Sequence, residues 1–95
     1  MSTHTVTEII DGDTFKVSPN WNWRGQTGDR VRPTGYDAPE LGTPGGATAK
    51  TQLQNLILNK QVTLTNAVNL DRGRIVCEVQ VHGRNLADFF PRYKT

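Results

Sequence analysis

One stretch of helical periodicity interrupts a chain that otherwise alternates. Ala49, Leu53, Leu56 and Ile57 fall at i, i+4, i+7 and i+8, one face of a helix running from Ala47 to about Lys60. The segments around it have a period of two. Thr3 to Ile10 is rich in Thr, Val and Ile and predicts a strand, with Thr14 to Val17 its hairpin partner across an Asp-Gly turn. A polar stretch from Ser18 to Asp29 follows. Arg30 to Glu40 starts extended, and Pro33, which cannot donate to a ladder, puts it at a sheet edge or ends it early. Beyond the helix, Val62 to Asn66 is again strand-like. Ile75, Cys77, Val79 and Val81 alternate with Val76, Glu78 and Gln80, the pattern of a half-buried strand. His82-Gly83 turns the chain, and Leu86, Phe89 and Phe90 mark a short amphipathic helix closed by Pro91.

The order is therefore three strands, helix, two strands, helix. One helix inserted before the fourth of five short strands predicts a mainly β fold, a five-stranded Greek-key barrel of the oligonucleotide-binding (OB) type with a short C-terminal helix. A simple α+β sheet packed on one helix fits the same pattern. A length of 95 residues gives a single domain, residues 1–95, near the lower end of what buries a self-sufficient core. The formal charge of +2 does not announce a nucleic-acid binder, so basic residues matter by position. Cys77 is the only cysteine, which excludes an internal disulfide framework and a multi-cysteine zinc site. No apolar run approaches the ~20 residues of a membrane helix, so no membrane partner is expected. The first ten residues lack the basic start and apolar stretch of a signal peptide. Compartment and homo-oligomerisation are left open.

Asp11, Asp13, Asp37 and Glu40 sit at the ends of predicted strands, beside turn-forming Gly and Pro. Arg30, Arg32, Arg72 and Arg74 are interleaved with them or follow. Carboxylates gathered at strand ends suit a hard cation such as Ca²⁺ or Mg²⁺. Arginines added to them make a phosphate site, because a guanidinium fork matches two phosphate oxygens. The plainer reading is a solvated rim of surface ion pairs, each worth under ~1 kcal/mol. Cys77 reads as core filler. His4 and His82 are terminal and turn residues with no second histidine nearby to complete a metal site. Trp21 and Trp23 share a face if their segment is extended, suited to covering apolar barrel surface or to stacking on bases.

"IIDGDTFKV", "RVRPTGYDAPE" and "DRGR", in that order around one helix, resemble the staphylococcal nuclease (thermonuclease-like) family over about residues 3 to 90. The resemblance implies calcium ligands at Asp13, Asp37 and the backbone carbonyl of Ala38, with Asp11 a supporting carboxylate. It places the family's glutamate, base or orienter of the attacking water, on Glu40, and its phosphate-clamping arginines on Arg32 and Arg74. "DGDT" would then be both a turn and half of a metal site. Residues two apart in a strand face the same way, so alternation does not choose between Arg72 and Arg74. The family pattern, which puts its arginine directly after the glycine, chooses Arg74. "DRGR" is one residue shorter than the family's segment and lacks its aromatic residue, and Pro33 replaces a branched aliphatic. The family's pocket-lining tyrosines lie in chain beyond the matched segment, so little base preference is expected. The resemblance thus implies a Ca²⁺-dependent endonuclease, a phosphodiester hydrolase acting on DNA, with RNA a further candidate and single strands the favoured form. The alternative is a nuclease-like OB-fold domain that binds nucleic acid or protein without efficient cutting. An aspartyl phosphatase, which "DGDT" also suggests, needs a much longer doubly wound domain.

Overall fold

Alternation carries the strands further than the sequence pattern predicts. The computed structural model describes residues 2–95. Its strands are β1 (Ser2–Asp11), β2 (Thr14–Trp23), β3 (Gln26–Pro33), β4 (Gln61–Asp71), β5 (Arg74–Val81) and a two-residue β6 (Arg84–Asn85), with one helix, α1 (Gly46–Ile57), between β3 and β4. The polar stretch Ser18–Asp29 forms the far half of β2, a tight turn and the near half of β3. Arg24 and Gly25 in that turn have φ of 51° and 79°. Two successive left-handed residues make the turn whose twist matches paired strands. The same device joins β4 to β5 through Arg72 and Gly73, and β5 to β6 through His82 and Gly83.

The first hairpin is built differently. Asp11 pairs with Thr14, so the central residues are Gly12 and Asp13, and neither has a positive φ. The expected hairpin forms, but not on an Asp-Gly turn. Register shifts between Val6 and Glu8 and between Ile9 and Asp11 bend β1 as it approaches the turn.

Strand order is β3-β2-β1-β4-β5-β6, and a parallel pairing of β3 with β5 closes the first five strands into a mixed barrel. This is the OB-fold-like architecture, and closure rules out the open α+β sheet. Strand β3 ends at Pro33, opposite Cys77. Inside, Val6, Phe15, Val31, Val62, Ile75 and Val79 are buried, and α1 adds Ala49, Leu53 and Ile57. Full burial of each large apolar side chain contributes roughly 1.5–3 kcal/mol. Helix α1 stops three residues before the expected end. Asn59 turns left-handed at φ 64°, and its N–H donates to the carbonyl of Val6. The expected C-terminal helix is instead two 3₁₀ turns, Leu86–Phe89 and Pro91–Tyr93, with Pro91 opening the second turn.

Trp21 is a core residue. Its ring covers Gly28, where a Cβ would lie 2.6 Å away, and its Nε1 donates to the carbonyl of Arg30. Trp23 is half-buried against the same core, under the guanidinium of Arg24 at 4.6 Å. His4 lies within β1 rather than at a loose terminus, is buried, and donates from Nδ1 to the carbonyl of Pro19. Cys77 is buried, and burial pushes its thiol up to about 12. No helix among the described residues is long and apolar enough to cross a membrane.

Candidate functional site

Three chain segments converge on a polar cleft of about 550 Å³ on the outer face of the barrel. They are the β1–β2 turn, the end of β3 with the loop after it, and the β4–β5 turn. Asp11, Asp13, Arg32, Asp37, Glu40, Arg72 and Arg74 all line it, together with Arg30 and Asp71.

The β1–β2 turn is held in place by a glycine. A Cβ on Gly12 would lie 2.8 Å from Cβ of Ala49 and 3.0 Å from Cβ of Ala38, so only glycine lets the turn pack against both α1 and the following loop. Asp13 follows with its side chain largely enclosed. Its backbone N–H donates to Oδ1 of Asp11 at 3.0 Å, and Oδ1 of Asp13 accepts from the Thr14 hydroxyl at 3.2 Å. Burial raises the carboxyl of Asp13 to about 6, helped by the hydrogen bond and negative charge of Asp11 and opposed by Arg32 and Thr14.

The loop after β3 is fixed from two sides. The Asp37 N–H donates to the carbonyl of Tyr93 at 2.7 Å, and Tyr36 packs edge-on against Tyr93 and beside Phe90. The Tyr36 hydroxyl reaches across to the carbonyl of Gly12 at 2.8 Å. Glu40 is exposed, but its backbone is set by Thr43, which donates to the Glu40 carbonyl from both N–H and hydroxyl. The same carbonyl lies so close to Gly46 that any side chain there would collide with it. Ala38, between Asp37 and Glu40 in the chain, is buried and is not among the residues that line the cleft.

Arg32 bridges the two segments. Its Nη2 stands 3.6 Å from Oδ2 of Asp13 and 3.6 Å from Oδ1 of Asp37, while Nη1 donates to the carbonyls of Pro33 and Tyr36. Arg74 is held more tightly. Nη1 donates to the Thr14 hydroxyl at 2.8 Å, Nη2 to Oδ2 of Asp71 at 2.6 Å and Nε to the Asp71 carbonyl. Arg72 occupies the left-handed position of the turn and is exposed. The two arginines that alternation could not separate therefore differ in fixation, because only Arg74 is anchored by side-chain hydrogen bonds.

Asp71 and Thr14 were not singled out in the sequence. Asp71 was readable, since a two-residue turn at Arg72-Gly73 makes Asp71 and Arg74 cross-strand partners. Thr14 was not, because its contact with Arg74 spans sixty residues of chain. Among the described residues, no three His, Cys, Asp or Glu side chains gather closely enough to hold a metal ion. A cation in this cleft would draw on fewer side chains, with backbone oxygen making up the set. No family model matches the chain, and no curated protein matches it.

Proposed function

We propose that this chain is a calcium-dependent nuclease of the staphylococcal nuclease type, hydrolysing phosphodiester bonds in DNA, with single strands the favoured form and RNA a further candidate. The observation that carries this reading is the meeting of Arg32 and Arg74 with Asp13, Asp37 and Glu40 in one cleft of an OB-fold-like barrel. The donor set fits calcium in kind. Asp13, Asp37 and the Ala38 carbonyl offer only oxygen, and Asp13 and Asp37 both approach one cationic nitrogen of Arg32. The raised carboxyl of Asp13 marks a place where a second positive charge is wanted. Calcium bound there supplies positive charge against the phosphate oxygens.

The remaining work falls to the chain's own side chains. Glu40 accepts a proton from the attacking water as its oxygen bonds to phosphorus. The 5′ oxygen opposite leaves with a proton from solvent, so the cut ends carry 3′-phosphate. Arg74, immobilised by Thr14 and Asp71, and Arg32 donate to the phosphate oxygens, whose negative charge is greatest in the transition state.

A second reading, binding without cutting, draws on one observation. Arg32 and Arg74 already face carboxylates of their own chain, which offset part of the positive charge a phosphate would meet. Incubation with labelled single-stranded DNA, in calcium or in chelator, separates the two. Calcium-dependent fragments ending in 3′-phosphate support the nuclease. Retention of uncut DNA supports the binding module.

A further inference from the structure

Arg30 lines the cleft but has no part in the chemistry just described. Register places Lys16 of β2 opposite Arg30 of β3, and Arg30 opposite Arg74 of β5. Directly opposed residues project from the same face of a sheet. Three cations therefore form one row across three strands. The next row, Phe15, Val31 and Ile75, is buried in the core, so the cationic row lies on the outer face. Neighbouring strands are about 4.8 Å apart, which gives the row a backbone span of about 10 Å.

Each end of the row has a carboxylate beside it. Lys16 Nζ lies 3.8 Å from Oε1 of Glu8, and Arg74 holds Asp71 at 2.6 Å. Arg30, between them, is exposed and forms no ion pair among the described residues. Like charges facing each other across strands destabilise a sheet, so folding gives no reason for a cation at this position. Its backbone is nonetheless fixed, because the buried Trp21 donates to its carbonyl at 2.9 Å. An exposed, unpaired guanidinium on a fixed backbone one strand away from Arg74 suits a second anionic group on the same ligand.

We infer that Arg30 and Lys16 form a track for the phosphates next to the one held at Arg74, so that a single strand of nucleic acid leaves the cleft across β3 and β2. The identity of the ligand rests on the nuclease reading, while the track itself rests on register, exposure and charge. A sequence-independent electrostatic groove of this kind binds backbone and tolerates any base.

The test measures binding of a fluorescent oligothymidylate by anisotropy, in chelator so that nothing is cut, over a range of salt. Each phosphate contact on a single strand contributes about 0.7 to the slope of log affinity against log salt. The double variant Lys16→Gln/Arg30→Gln changes only surface side chains, and a thermal melt checks its fold. Its slope is expected to be shallower than wild type by about 1.4, with affinity down about tenfold at low salt. Arg30→Lys keeps the charge and should keep the slope. An unchanged slope in the double variant, or no binding by the wild type, overturns the track. A shallower slope in a protein that never cuts in calcium keeps the track and removes the nuclease.

Discussion

The hydroxyl of Tyr36 donates a 2.8 Å hydrogen bond to the carbonyl of Gly12, tying the loop that carries Asp37 to the turn that carries Asp13. Both groups are buried, so neither has water as a substitute partner. Tyr36→Phe leaves the Gly12 carbonyl unsatisfied at a cost of about 1–3 kcal/mol. We expect a lower melting temperature and weaker calcium stabilisation, because the two carboxylates lose their common brace. A variant that melts and responds to calcium like wild type would show that packing alone sets their spacing.

Asp13 titrates at about 6, above its ordinary 3.8, because it is buried and faces Asp11. Between these values the folded chain holds more protons than the unfolded chain, so stability falls as pH rises through this window. Below it the penalty is absent, and above it the penalty is complete, of order 1–3 kcal/mol. Asp13→Asn, melted in chelator, should be more stable than wild type at pH 8 and lose that advantage toward pH 4. Calcium should raise the wild-type melt and not that of Asp13→Asn/Asp37→Asn. A pH-independent difference would remove Asp13 as the titrating group, and equal calcium shifts would place the ion elsewhere.

Glu40→Gln keeps the shape and exposure of the side chain but cannot take a proton. The fold and calcium stabilisation should survive while turnover falls by at least about 100-fold. Cleavage within a few-fold of wild type would exclude Glu40 as the base.

Arg74 is anchored by Thr14 and Asp71, whereas Arg72 stands exposed in the turn. A group that stabilises a transition state must be positioned before the reaction. Arg74→Lys keeps the charge but loses the planar fork, and should cost at least ~2–3 kcal/mol of transition-state stabilisation. Arg72→Lys should cost well under ~1 kcal/mol, the range of surface charges. Single-turnover rates decide, and the reverse order would identify Arg72 as the clamp.

Much of this arrangement was readable from local pattern. A period of two and a single helical stretch determined five strands around one helix, because burial of one face imposes periodicity on each element separately. The His82-Gly83 pair marked its turn, since tight hairpins need left-handed backbone and glycine supplies it cheaply. Type and strand-end position pointed to Asp11, Asp13, Asp37 and Glu40 and to Arg30, Arg32, Arg72 and Arg74, the family resemblance selected among them, and the structure brings all eight to one cleft.

Tertiary structure decided what local pattern does not encode. The polar run Ser18–Asp29 became paired strand because Trp21 found Gly28 and the Arg30 carbonyl across the hairpin, overriding its composition. The C-terminal segment became two 3₁₀ turns because Tyr93 accepts from the Asp37 N–H and packs on Tyr36. Barrel closure by β3 and β5 set Arg30 beside Arg74 and brought Thr14 within reach of the Arg74 guanidinium. Sequence by itself determined the strongly periodic elements and the chemistry available at their ends. Which side chains are held, which stand free and which charges face each other came from long-range packing, where the partner is chosen by closure in space and leaves no periodic trace along the chain.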